Sequence, residues 1–242
     1  MGDVDKETWA TRAAMCELLA LSLRYPSKEL ADAIDSGEWV SAAREIAAVL
    51  DMVLPDSFGD ELPDSDARSS DAVEESGDFD EASGLLETLR PEATYLFVGA
   101  PRPACSPYEG AWRAEKAGVQ ALMFVNPCSM EVERFCRLCG LGHPEGTNEP
   151  LDHVATEFEL LEVLALRAAG AAEQAEGEDW AVSDADLPGG SASAAFDQFV
   201  ADHLSAWAPD FAECLSSEAR VPFYRCVAEL VSAFVDVVAV KD

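Results

Sequence analysis

Apolar residues recur at spacings of three and four along most of this chain, which is the pattern of helices that bury one face. The clearest runs extend over 9–23, 154–168 and 222–238. Strand-like alternation with hairpin turns is absent from the sequence. The pattern predicts an all-α fold, a single helical-bundle domain over residues 1–242 with roughly 9–11 helices.

Residues with special backbone preferences indicate where several helices begin and end. Ser27 is a suitable N-cap for a short helix, and Asp152 is a suitable N-cap for the helix that Gly170 ends. Pro209 is expected to stop the helix before it, because proline cannot donate a backbone hydrogen bond. Pro222 is expected in the first turn of the last helix, where that loss has no cost.

Two acidic segments interrupt the helical pattern. Residues 56–81 contain 11 acidic residues and one basic residue, and residues 173–193 contain six acidic residues and no basic one. Neither segment has periodic apolar spacing, and both contain Ser, Gly and Pro between the charges. We expect both segments to be mobile loops.

The charge balance excludes some classes of partner. The 242 residues include 16 Lys and Arg against 47 Asp and Glu, which gives a formal net charge of −31. Binding to nucleic acid or to an anionic membrane needs a basic face, so neither is expected. The acidity leaves two interpretations, a basic partner and a solvated surface that keeps the chain soluble, and the solvated surface is the more common one. The acidity alone also allows a different hypothesis, an acidic decoy that mimics nucleic acid.

The sequence contains no segment typical of export or membrane insertion. Its first residues lack the basic and apolar regions of a secretory signal, and charged residues interrupt every apolar run before the ~18 residues of a membrane span. Seven cysteines, an odd number, are more typical of a reducing compartment than of a disulfide framework. These features predict a cytoplasmic protein.

Cys136 and Cys139 form a C-x-x-C pair, and His143 follows four residues later. This cluster is the basis of an alternative function, a thiol or zinc-binding protein. The sequence offers no second C-x-x-C pair and no strand before this one. Both cysteines lie on an apolar-periodic helix, where cysteine packs as a small apolar side chain, and we expect that role for them.

Asp152 and His153 place a carboxylate beside an imidazole at a predicted helix start. A catalytic pair would need a nucleophile, and the sequence has no G-x-S-x-G elbow. Walker A and G-x-G-x-x-G motifs are also missing, so a nucleotide fold has no support. Capping explains Asp152, whereas packing does not explain His153, because the apolar face begins at Val154.

The segment from Tyr95 to Trp112 combines aromatic residues with proline. Three prolines between positions 101 and 107 predict a stiff, extended loop between two helices. Tyr108 and Trp112 lie on this loop on either side of Glu109. Such a loop suits an apolar peptide that carries cationic residues, and packing between two helices is the alternative.

Three motifs resemble, in this order, those of a known family. The run Y-L-F-V-G-x-P-x-P-x-x-x-P-Y-E, from Tyr95, is similar to a "Y-x-x-L-F … P-x-E-S" loop. The run M-E-V-E-R-F-C-R-L-C-G-L, from Met130, is similar to an "E-V-x-x-F-Y-x-x-x-G-L" helix. The run E-P-L-D-H-V-A-T-E-F-E-L-L, from Glu149, is similar to "E-P-x-D-H-x-x-x-E-L-x-F-L". These motifs are those of the TorD/DmsD-type chaperones, which are related to the NarJ type.

The resemblance implies an all-helical binding protein and not an enzyme, with no cofactor of its own. Chaperones of this type bind the twin-arginine signal peptide of a molybdopterin oxidoreductase. They hold the apoenzyme until its molybdenum cofactor is inserted. The chain is then expected to be a monomer or a domain-swapped dimer.

The loop and the helix start are expected to lie close together and to form one wall of the peptide groove. Asp152 or Glu109 would meet guanidinium groups of the peptide, and Tyr108 and Trp112 would cover its apolar segment. The expected site residues are Tyr95, Phe97, Pro107, Tyr108, Glu109, Trp112, Asp152 and His153. The sequence departs from the family pattern at Gly110, where Ser is usual, and at Cys136, where Tyr is frequent.

Overall fold

The structure is a computed structural model that describes residues 6–63, 81–118, 126–142, 150–171 and 182–239. Its α-helices are α1 (Lys6–Leu23), α2 (Lys28–Asp35), α3 (Glu38–Val49), α4 (Glu81–Ala93), α5 (Glu109–Lys116), α6 (Pro127–Leu138), α7 (Val154–Ala169), α8 (Ala192–Phe199), α9 (Ser205–Glu218) and α10 (Pro222–Val238). The π-helical turn Thr94–Val98 continues α4, and a second one, Val200–Leu204, joins α8 to α9. No strand forms among the described residues, and the predicted all-α fold is confirmed.

Aromatic contacts between distant helices hold the core together. Helix α1 packs along α7, and α9 packs along α10. Trp9 of α1 meets Phe196 of α8 edge-on, with ring centroids 5.2 Å apart. Trp39 of α3 makes the same kind of contact with Phe223 of α10 at 5.0 Å. These buried rings come from elements far apart in sequence, so burial of apolar surface stabilises the bundle as a whole.

Three predicted helix ends are confirmed. The Ser27 hydroxyl accepts a hydrogen bond from the Leu30 amide and caps α2. Gly170 ends α7 with a φ of 69°, in the left-handed region that favours glycine. Pro222 is the first residue of α10.

Two other predicted ends are wrong. The N-cap of α7 is His153 and not Asp152, because the Asp152 carboxylate bonds to α5 and α6 instead. Pro209 does not stop a helix, since it lies inside α9. The wide turn Val200–Leu204 comes shortly before Pro209, and a similar turn follows Pro91 of α4. Both prolines therefore lie inside a helix that has a wide turn within a few residues.

The segment from Tyr95 to Trp112 is extended only in its middle. It begins in the π-helical turn Thr94–Val98, and Glu109 and Trp112 lie on α5. The prediction that these two residues lie on a loop is therefore wrong. The prolines do hold residues 99–108 in irregular structure between the two helical parts.

The ends of the two acidic segments contact the helices, while residues 64–80 and 172–181 lie outside the described part of the chain. Phe58 is buried and stacks on Trp39 with centroids 6.2 Å apart. At the end of the second segment, Asp184 forms an ion pair with Arg167 of α7. The predicted mobility of the central parts concerns residues that the structure does not describe.

Across the described residues, no helix is both long enough and apolar enough to cross a membrane.

Candidate functional site

A short backbone bridge brings the two predicted segments together. Tyr108 and His153 pair as an isolated antiparallel bridge. The Glu109 amide donates to the Asp152 carbonyl at 3.0 Å, and the Val154 amide donates to the Pro107 carbonyl at 2.8 Å. The predicted proximity of the loop and the helix start is confirmed.

The side chains of this bridge also contact each other. The rings of Tyr108 and His153 meet edge-on, with centroids 5.3 Å apart and planes at 83°. His153 Nδ1 accepts a hydrogen bond from the Ala155 amide at 3.1 Å. A neutral imidazole whose Nδ1 accepts carries its proton on Nε2. The cap of α7 therefore fixes both the tautomer and the orientation of His153.

Asp152 is buried and ties three elements together. Its Oδ2 accepts hydrogen bonds from the Gly110 amide of α5 at 3.0 Å and from the Ser129 hydroxyl of α6 at 2.6 Å. Only 1% of the residue is exposed. Burial raises the pKa of this carboxyl group, against the two hydrogen bonds, which lower it.

Gly110 is where this cluster packs most closely. A Cβ at this position would lie 2.5 Å from the Ser129 hydroxyl and 2.7 Å from the Asn126 amide nitrogen. The Ser129 hydroxyl, which donates to Asp152, thus occupies the space that a side chain at position 110 would need. Asn126 caps α6 and also donates to the Gly110 carbonyl.

A second buried polar cluster lies beside the first. Glu109 Oε1 accepts from Arg113 at 2.6 Å, and both carboxylate oxygens lie 3.2 Å from His203 Nδ1. Glu157 Oε2 accepts from the Trp207 indole at 3.2 Å. Glu157 Oε1 has no hydrogen-bond partner among the residues that the structure describes. Burial and the charge of Glu109 raise the pKa of Glu157 well above its usual value.

These two clusters correct the expected accessibility of Glu109 and Asp152. Both carboxylates are buried and bonded to groups of the same chain. In this structure neither carboxylate is accessible to a guanidinium group of a ligand, so the expected contact of Asp152 or Glu109 with the peptide has no support from their positions. They connect α5, α6 and α7 next to the Tyr108–His153 bridge. In this way they position the wall of the site.

An apolar pocket of about 690 Å³ opens beside this wall. Four of the expected site residues line it, namely Phe97, Pro107, Tyr108 and His153. Most of its remaining described lining is apolar and comes from α7, from the residues just before α7 and from the ends of α1, α4 and α6. Exposed apolar side chains of Tyr25 and Val98 lie at its edge, 59% and 67% accessible. A pocket of this size can take several apolar side chains.

An ion pair forms the charged part of the pocket, and sequence reasoning missed it. Arg24 and Glu159 bond to each other and are the two oppositely charged side chains among the described lining residues. Arg24 follows α1, while Glu159 lies on α7. No local sequence signal connects positions so far apart, because only the packing of α1 along α7 brings them together.

The four other expected site residues do not line the pocket. Glu109 and Asp152 are in the buried clusters. The Tyr95 hydroxyl donates to Glu218 at 2.7 Å, and the Arg220 guanidinium lies over its ring. The Trp112 indole donates to the Ser106 carbonyl at 2.7 Å, which stabilises the chain just before Pro107.

The C-x-x-C pair lies in the core. Cys136 and Cys139 are 2% and 1% exposed, in agreement with the packing interpretation. Burial raises the pKa of the Cys136 thiol to about 12 and that of Cys139 to about 11. Both thiols are therefore protonated near neutral pH, whereas redox nucleophiles are thiolates. His143 lies outside the described residues.

A comparison with known protein families matches the part of the chain that contains most of the candidate site. The model of the nitrate reductase delta subunit family matches residues 66–213, more than half of the chain. The chain belongs to this family. The delta-subunit family is one of redox-enzyme maturation chaperones of the TorD/NarJ type. The match includes the Tyr108–His153 bridge and both buried clusters, whereas Arg24 and α10 lie outside it. No curated protein matches the chain significantly.

Proposed function

We propose that this delta-subunit family member binds the twin-arginine signal peptide of an exported molybdenum-cofactor oxidoreductase. It holds the apoenzyme in the cytoplasm until the cofactor is inserted, and it performs no catalysis itself. The observation that carries this proposal is the apolar pocket beside the Tyr108–His153 bridge, with Glu159 at its charged edge.

The chemistry of the pocket matches that of such a peptide. A twin-arginine signal places two guanidinium groups next to an apolar segment. The apolar segment would enter the pocket against Tyr108 and Phe97 and contribute roughly 25 cal/mol per Å² of buried apolar surface, before ordering costs. A guanidinium group would bond to the carboxylate of Glu159, with two donors in a fork.

The charge of the whole chain supports the same ligand. A net charge of −31 attracts cationic segments over long distances and increases the rate of their encounter with the pocket. Salt screens this attraction, whereas contacts in the apolar pocket are much less affected by it. Binding is therefore expected to weaken with salt without being lost.

The buried clusters support binding indirectly, because they make the wall of the pocket rigid. Asp152 and Glu109 are bonded within the chain, so they keep the backbone of Tyr108 and His153 in place before any ligand arrives. A preformed wall reduces the conformational entropy that binding must overcome.

Calorimetric titration of the full chain with a twin-arginine leader peptide of a molybdenum-cofactor oxidoreductase from the same genome tests the proposal. We expect saturable binding that is at least about tenfold weaker when glutamine replaces both arginines. Glu159→Gln should weaken binding of the arginine peptide by about two- to fivefold. Glu133→Gln, on the exposed face of α6, is the matched control and should have a smaller effect. Equal affinity for the two peptides, or no saturable binding, would contradict the proposal.

A further inference from the structure

The ion pair at the pocket mouth joins two side chains of unequal accessibility. The Arg24 side chain is 61% exposed, and that of Glu159 is 31% exposed. The carboxylate is thus fixed on the face of α7, at the edge of the apolar lining, while the guanidinium reaches it from the solvent side.

The backbone beneath Arg24 is held firmly. The Arg24 amide donates to the Ala20 carbonyl at the end of α1. Two residues later, the Pro26 carbonyl accepts a hydrogen bond from Arg90 of α4 at 3.2 Å, and the Arg90 guanidinium lies 5.7 Å from the centroid of the Tyr25 ring. Arg24 can therefore move its side chain away from Glu159 without any change in the fold.

The surroundings of Glu159 have an excess of negative charge. Glu162 is close enough to Glu159 and to Glu17 of α1 that their charges raise its pKa, after the larger effect of its own burial. Arg24 acts on Glu162 in the opposite direction. One guanidinium group thus faces several carboxylates along the contact between α1 and α7.

We propose that Arg24 occupies, in the free chain, the place at Glu159 that a guanidinium group of the bound peptide takes. Arg24 is then a specificity-determining residue, because a peptide must bring its own cation to replace it. An apolar peptide without arginine finds Glu159 already neutralised and gains nothing from it. This inference rests on the proposed function: Arg24 competes with the guanidinium group of the peptide for Glu159.

The energetics allow such an exchange. An exposed ion pair contributes little to stability, so its separation costs little. When the residues next to the ligand arginine fill the apolar pocket, its guanidinium group meets Glu159 in a drier environment. The Coulomb attraction is stronger there, and the loss of water from both charges opposes it. The exchange of one guanidinium for another is therefore favourable only when the apolar segment binds as well.

The test compares Arg24→Gln with Arg137→Gln. Arg137 forms an exposed ion pair with Glu133, and these side chains are 68% and 31% exposed, almost the same as those of Arg24 and Glu159. Both variants remove one positive charge, but Arg137 does not line the pocket. Each variant is titrated with the twin-arginine peptide and with its glutamine counterpart, in the wild-type and in the Glu159→Gln background.

We expect Arg24→Gln to bind the arginine peptide about two- to fivefold more tightly than Arg137→Gln does. The gain should vanish with the glutamine peptide and in the Glu159→Gln background. A gain equal to that of Arg137→Gln, a gain that persists without Glu159, or weaker binding overturns the inference while the proposed function stands. If the wild-type chain binds neither peptide, the proposed function and this inference both fail.

Discussion

Tyr108 and His153 pair through both backbone and side chains although 44 positions separate them in the sequence. The pairing makes the end of the proline-rich segment and the start of α7 one rigid surface. Because His153 also caps α7, any displacement of Tyr108 disturbs the first turn of that helix.

Removal of the Tyr108 ring should weaken binding of the signal peptide at every salt concentration. Tyr108→Ala deletes apolar lining of the pocket, and a buried aromatic contact is typically worth more than about 1 kcal/mol, or at least fivefold in affinity. Calorimetry at low and high salt measures the effect. Tyr95→Ala, which removes the same side chain outside the pocket, is the control and should bind almost normally. Equal losses in the two variants would remove Tyr108 from the site.

Gly110→Ala should destabilise the fold although alanine is the better helix former. The added methyl group meets the Ser129 hydroxyl at 2.5 Å and the Asp152 carboxylate at 2.9 Å, and such crowding costs about 1–3 kcal/mol. Ser129→Ala makes room, so the double variant should lose less stability than the sum of the single ones. Urea unfolding provides all three values. A neutral Gly110→Ala would contradict the close packing described here.

Glu157→Gln should gain stability relative to the wild type as pH rises. The folded chain keeps a proton on Glu157 that the unfolded chain loses above its ordinary pKa of 4.5. The free energy of unfolding therefore falls as pH rises from there towards the raised pKa, and glutamine has no such proton to lose.

Urea unfolding at about pH 5 and about pH 8 measures this difference, which should be larger at the higher pH and in favour of the variant. Glu159→Gln, two residues further along α7 and partly exposed, should follow the wild-type pH dependence closely. Parallel curves for wild type and Glu157→Gln would show that Glu157 is ionised in the folded chain.

Cys136 and Cys139 should behave as core residues. Because their pKa values are raised to about 12 and about 11, alkylation of the native protein at about pH 8 should leave both unmodified until urea is added. Replacement of both by alanine should cost about 1–3 kcal/mol of stability. Stoichiometric zinc that is lost in Cys139→Ser would support the alternative function instead.

Much of the fold could be predicted from local patterns. The cap at Ser27, the left-handed end at Gly170 and the start at Pro222 depend on residues within one helical turn, and all three are correct. Pro209 shows the limit of such reasoning, because α9 continues through it.

The candidate site was only partly predictable for the same physical reason. The motifs located the Tyr108–His153 wall, because each of its two parts is a short continuous segment of the sequence. The motifs did not indicate that Asp152 and Glu109 are buried, because their partners Ser129 and His203 come from other helices. No sequence pattern distinguished Arg24 and Glu159 from other charged surface residues, because only the packing of α1 along α7 brings them together.

Site-specific photo-crosslinking tests directly whether the twin-arginine signal peptide binds in the pocket beside the Tyr108–His153 bridge. A photoreactive phenylalanine analogue is placed at position 108, inside the pocket, or at position 95, outside it, and the full chain is irradiated with a labelled twin-arginine leader peptide. If the peptide binds in the pocket, position 108 forms a crosslink that excess unlabelled peptide removes, and position 95 forms little or none. A crosslink from position 95 alone, or equal labelling at both positions, would contradict binding in the pocket.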